Sequence, residues 1–225
     1  MFIGGPLATA IDRVWDGIRR RHPDVPEAVV AIASGSTGRG RAVRLGHFGP
    51  DLWSRSGTAM PELFLGAEGL AAGAHDVLAT LLHQAAHGIA VVREVPAVSD
   101  GGRYHNGKYR QIAEELGLIA ERAPRTGWSM TRLPDSTVAE YRREIGVLDR
   151  AIVAYRLPEP VGEETKSAAE DTVDADYAAP GTKSADRNGS PLICRCEPPR
   201  RIRAHKTIIA AGPTLCGICG QQFAQ

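Results

Sequence analysis

From Ala72 to Val92 the chain is apolar and glycine-poor, and at 3.6 residues per turn it is long enough for a helix of about five to six turns. This stretch carries His83-Gln84-Ala85-Ala86-His87. Histidines at i and i+4 project from one helical face about one turn apart, so both can grip a single ion. The spacing is weak by itself, because two histidines that merely partner backbone or carboxylate groups give the same pattern. Context strengthens it: three strand candidates come before the helix, a further histidine follows, and four cysteines lie near the end of the chain.

The segment before the first glycine-rich turn places Leu7, Ile11, Val14, Trp15 and Ile18 at helical spacing, which predicts an amphipathic helix ending before His22-Pro23. Short apolar runs at Ala28–Ala33, Ala42–Phe48 and Pro61–Leu65 predict three strands in one antiparallel or mixed sheet. Beyond the long helix, a loop with Ser99, Asp100, Gly101 and Gly102 leads to His105. A helix through Tyr109, Ile112, Ala113 and Leu116 then stops at Gly117, and a last helix is expected over Ser136–Ala154. At 225 residues with 43% hydrophobic side chains, the chain can bury one sizeable core and carry a small appendage. The reading is an α+β domain over residues 1–155, an acidic disordered linker over 156–190, and a small module over 191–225.

The linker assignment rests on charge: residues 156–190 hold eight acids against four bases and almost no large apolar side chains. Over the whole chain 27 basic and 26 acidic residues nearly cancel, so no global field draws it to nucleic acid or a membrane. No run approaches the roughly 18 apolar residues that span a bilayer, and the start lacks a basic segment followed by an apolar one. A cytoplasmic protein with no membrane partner is expected.

All four cysteines fall in the terminal module, as Cys194-Arg195-Cys196 and Cys216-Gly217-Ile218-Cys219. Two close pairs match a zinc ribbon, in which two knuckles supply four thiolates to one structural Zn2+; a redox or disulfide pair is the plainer alternative. So few residues bury too little apolar surface to fold unaided, which makes the metal the main source of stability. Between the pairs lie Arg200, Arg201, Arg203, His205 and Lys206, with Arg195 nearby, a local basic cluster able to contact phosphates. A solvated hairpin explains the same charges, and no aromatics interleave them for base stacking.

A catalytic zinc site takes three protein ligands and leaves a position for water. His105 is the first choice for the third ligand, with Glu114 or Glu115 second. The compact metzincin spacing fails because Arg93 stands where its histidine belongs. A strand-rich start, then Leu81-Leu82-His83-Gln84-Ala85-Ala86-His87, Arg103-Tyr104-His105-Asn106 with Tyr109, and a tetracysteine tail together resemble the SprT-like metallopeptidases, which include bacterial SprT and the eukaryotic Spartan DNA-protein crosslink proteases. That resemblance covers most of residues 28–118 and the terminal module. It implies a zincin-like fold, Zn2+ on His83, His87 and His105, a protein or peptide substrate, and association with DNA.

The departure is Gln84, which stands where the HExxH motif has glutamate. That glutamate takes a proton from zinc-bound water and hands it to the leaving amine, which an amide cannot do near neutral pH. Glu94 lies seven residues past His87, about 10 Å along a helix axis and too far for proton transfer. Glu62, in the third strand, is the better-placed substitute. His47 and His75 are expected to pack or face solvent. The rival readings are a non-catalytic zinc scaffold that binds protein or DNA, and a chain in which only the ribbon is functional.

Overall fold

The computed structural model describes residues 3–36, 43–158, 190–204 and 206–224. The chain divides into two compact units, Met1–Ala178 and Ala179–Gln225. Most of the expected linker, 159–189, lies outside the described residues, as does His205 of the basic cluster.

Helix α1 (Gly4–Arg21) buries Leu7, Ile11, Val14, Trp15 and Ile18 on one side. It stops at His22, whose φ of −127° and ψ of 86° follow from the proline after it, since a pre-proline residue is pushed out of the helical region. Strands β1 (Val29–Ala33), β2 (Gly46–Arg55) and β3 (Thr58–Gly66) form a mixed sheet in the order β1-β3-β2, with β1 parallel and β2 antiparallel to β3. The hairpin runs further than its apolar runs suggest because Ser56 and Gly57, at φ 52° and 85°, make a two-residue turn that pairs Arg55 with Thr58. Strand alternation turns Leu63 and Leu65, with Phe48 and Gly46 opposite them, toward the core. His47, Glu62 and Phe64 go to the other face.

Helix α2 (Ala74–Val92) lies on the core face, and every residue from Leu81 to Ala90 is buried. Strand and helix meet at Gly46, where an added methyl would stand 3.0 Å from the Thr80 side chain and 3.2 Å from Gln84 Nε2. A second sheet, ordered β4-β5-β7-β6, combines β4 (Val98–Ser99), β5 (Tyr104–His105), β6 (Ile119–Ala123) and β7 (Gly127–Arg132). Between β5 and β6 runs α3 (Gly107–Glu115), capped by the Asn106 side chain, which accepts from the N–H groups of Lys108 and Tyr109. The single expected helix at Ser136–Ala154 is two, α4 (Asp135–Glu140) and α5 (Arg142–Ala151), broken at Tyr141 with φ −95° and ψ 17°. Tyr141 is fully buried beneath the Arg21 guanidinium, 4.4 Å from its ring, and the turn carries buried Glu144 to within 2.8 Å of Arg21 Nη1.

Part of the expected linker packs on the first unit. The Arg156 N–H donates to Ala67 O at 3.0 Å, and Arg156 Nε lies 3.6 Å from Glu68 Oε1. Glu68 also accepts from Gly35 N–H at 2.7 Å and from Ser34 Oγ at 3.2 Å. In the second unit, β8 (Ser190–Ile193) and β9 (Arg201–Ala204) form an antiparallel hairpin followed by α6 (Lys206–Ala211). No helix among the described residues is long and apolar enough to cross a membrane.

Burial opposes ionisation of Glu68, but the donors at Gly35 and Ser34 and the charge of Arg156 outweigh it and hold the carboxyl below its ordinary value of 4.5. A pKa lower in the folded chain gives stability that is present above about pH 4.5 and lost as pH falls through the folded value. Glu68→Gln is therefore expected to cost about 1–3 kcal/mol in urea unfolding at pH 7. The gap to the wild-type chain should close on acidification.

Candidate metal centres

Three buried histidines converge in the first unit. His87 Nε2 lies 3.3 Å from His83 Nε2 and 3.1 Å from His105 Nε2. Four nitrogens around a tetrahedral ion at 2.0–2.1 Å stand about 3.3 Å apart, so these separations are the edges of such a tetrahedron. The other ring nitrogens fix the orientation. His105 Nδ1 lies 3.3 Å from the Thr126 carbonyl, which only accepts, so the ring's N–H sits there and Nε2 presents its lone pair. His83 Nδ1 lies 3.1 Å from Thr131 Oγ1, a hydroxyl that can accept from it in the same way. The donor set, three imidazoles whose Nε2 atoms converge with no carboxylate among the described members, fits a borderline ion such as Zn2+.

The three histidines are held by two features of the sequence. His83 and His87 share the i, i+4 face of α2. His105 is fixed by backbone on both sides: its N–H donates to Thr126 O at 2.9 Å, and Asn106, next in sequence, bonds through its backbone N–H to Ala97 and through its side chain to Pro96. The close approach of β5 to β7 requires glycine at 127, which has φ 68° and where a Cβ would stand 2.0 Å from His105 O. Tyr109, fully buried, forms a wall to the site. Its ring centroid lies 5.1, 4.8 and 4.4 Å from those of His83, His87 and His105, and its hydroxyl donates to His83 O at 3.3 Å.

Gln84, also fully buried, has neither amide atom hydrogen-bonded among the described residues. The acids considered from sequence go elsewhere. Glu62 is on the far face of the sheet, accepting from Trp53 Nε1 at 2.9 Å and facing His47 Nε2 at 3.3 Å, because strand alternation sends it away from α2. Glu114 and Glu115 are exposed and pair with Arg110 and Arg93, each at 2.7 Å. Glu94 lines a cleft with His87. The chain turns after Arg93, with Glu94 at φ 53°. His47 is buried and His75 exposed. Strand β7 supplies Thr131, and no local pattern in the sequence marks it.

In the second unit Cys194, Cys196, Cys216 and Cys219 form a cluster of free thiols whose sulfurs lie within 4.8 Å of one another. The sulfurs of Cys196 and Cys216 are 3.7 Å apart, against about 3.8 Å for the edge of a tetrahedral tetrathiolate with bonds of 2.3 Å. Backbone N–H groups of Cys219 and Ile218 pull the Cys216 thiol down to about 6, while the thiol of Cys194 and its neighbours push Cys196 up to about 12. Four convergent sulfurs are a donor set that suits a soft or borderline cation. Arg195, Arg200 and Arg201 are exposed on this unit.

The sequence matches no protein-family model and no curated protein, and the structure matches no solved structure. The class defined here is a mixed α+β chain with a tri-histidine group and a tetracysteine group, each arranged as the ligands of a metal ion are.

Thr131→Val removes the partner of His83 Nδ1 and is expected to weaken the binding of an added divalent metal ion at the histidine group about 10- to 100-fold in chelator competition, with folding intact. Chelation at neutral pH is expected to open residues 190–224 to limited proteolysis while the first unit stays resistant, because only the second unit draws its core from its ligands.

Proposed function

We propose that the chain is a zinc-binding relative of the SprT-like peptidases, with a zincin-like domain and a zinc ribbon, whose native form binds peptide and hydrolyses it slowly. The convergence of the His83, His87 and His105 Nε2 atoms, at separations that match a tetrahedral ion, carries this reading. Those three residues would hold the metal. Bound there, Zn2+ supplies a Lewis acid that polarises a carbonyl and acidifies a water.

The chain's own residues set the rate. Gln84 follows His83 on α2, at the position from which a glutamate would take and return a proton. Its amide can hold a water through a hydrogen bond but does not take up the proton, and a missing general base costs about 10² to 10⁴ in rate. Glu62 does not substitute, since it faces away and is engaged by Trp53 and His47. The lack of any carboxylate among the described members of the histidine group also favours a second reading, a non-catalytic scaffold that binds protein. Exposed Arg195, Arg200 and Arg201 support a contact of the ribbon with DNA phosphates, and four free thiols suit the reducing cytoplasm.

The test is zinc stoichiometry together with cleavage of an unstructured protein, with and without DNA, by the native chain and Gln84→Glu. Two zincs, with cleavage by Gln84→Glu about 10² to 10⁴ faster than by the native chain, are the expected result. Two zincs with no cleavage by either would select the scaffold, and one zinc or none would sink the histidine assignment. A buried carboxylate at position 84 is costly without a neighbouring cation. Gln84→Glu is thus expected to melt below the native chain when metal-free and to gain more on Zn2+ addition, as read by differential scanning fluorimetry.

A further inference from the structure

Helix α2 ends in a Schellman turn. The Val95 N–H donates to Ala90 O at 2.8 Å and the Glu94 N–H to Val91 O at 3.1 Å. That turn places the residue after the helix cap in the left-handed region, where glycine is usual, and here it is Glu94 at φ 53°. Among the described residues the other non-glycine positions with positive φ are Asp51, Ser56 and Asp100, with short polar side chains suited to turns. Glutamate has no such local compensation.

Nor does its carboxylate have a partner. Arg93, one residue before, pairs with Asp24 at 2.8 Å and Glu115 at 2.7 Å, whereas Glu94 makes no hydrogen bond or ion pair among the described residues. The turn brings Glu94 to a cleft of about 560 Å³ whose walls include Phe48, Ala90, Val95 and Ala97. His87 lines the same cleft. An apolar trough thus runs from His87 to an exposed carboxylate held in an unfavourable backbone conformation.

We propose that this cleft receives a lysine or arginine side chain of a bound peptide, with Glu94 as the residue that selects it. The inference rests on the peptide-binding reading above. The aliphatic stem of such a side chain covers the apolar walls while its charged tip reaches the carboxylate. Norleucine would fill the trough without using Glu94, and a glutamate side chain would be repelled by it.

The experiment uses the full chain with added Zn2+ and fluorescence anisotropy of unstructured peptides that differ at one position: lysine, norleucine or glutamate. The lysine peptide is expected to bind roughly two- to fivefold tighter than the norleucine peptide, the range of a partly exposed ion pair. That preference should vanish in Glu94→Gln and at high salt. Glu94→Gly should also lose the preference while melting roughly 2–4 °C higher, because the left-handed position no longer carries a side chain. Equal affinity for lysine and norleucine, a preference retained by Glu94→Gln, or a lower melting temperature for Glu94→Gly would each overturn the role of Glu94 and leave peptide binding standing. Failure to bind any of the peptides would overturn both.

Discussion

Burial of α2 on nearly every side is the constraint around which the first unit is built. A helix with no face toward water from Leu81 to Ala90 can be packed only between layers, and the sheet, α1, α3 and α5 supply them. Inside such an environment each polar side chain loses its hydration, at a cost of order 1–3 kcal/mol if nothing replaces it. Alanine or leucine at positions 83, 84 and 87 would avoid that cost, yet the chain has two imidazoles and an amide there. The imidazoles find each other, Thr131 and the aromatic wall of Tyr109. Gln84 finds no partner among the described residues, which makes it the least compensated polar group in the core.

The parts of this arrangement that depend on local pattern were readable from the chain. The apolar run announced α2, the i, i+4 rule put His83 and His87 on one face, and the close cysteine pairs announced the second cluster. His105, in the segment after the long helix, was the first choice for the third ligand. What stayed hidden depends on chain reversals and on strand faces. Glu62 looked well placed until the register with β2 sent it to the opposite side from Phe48 and Leu63. The left-handed turn that sets Glu94 at the edge of a cleft shared with His87 has no glycine to announce it. Thr126 and Thr131 reach the histidines only because β7 pairs with β5, a long-range match that no periodicity encodes. The break at Tyr141 was invisible because α4 and α5 keep helical spacing on either side of it.

The two centres stand in different relations to their surroundings. The histidines sit inside a core that α1, the first sheet and α5 complete without them, so that core has support besides the ligands. In the second unit the buried cluster is Leu192, Cys194, Ala204, Cys216 and Phe223, of which two are themselves ligand candidates. There the thiols are both the core and the reason for it. A metal held by the first site would tune a cleft, while one held by the second would decide whether the unit is folded.

The third histidine is contributed from outside α2, and this gives the site a mechanical side. His87 and His105 are 18 residues apart, and the segment between them contains the Schellman turn, the Asp100-Gly101-Gly102 turn and one wall of the cleft. An ion shared by the two rings acts as a cross-link across that loop. By chain-entropy reasoning, tying off a loop of this length stabilises by about 3 kcal/mol. Loading the histidines would therefore make that loop harder to unfold, so the persistence of one wall of the cleft would depend on metal supply.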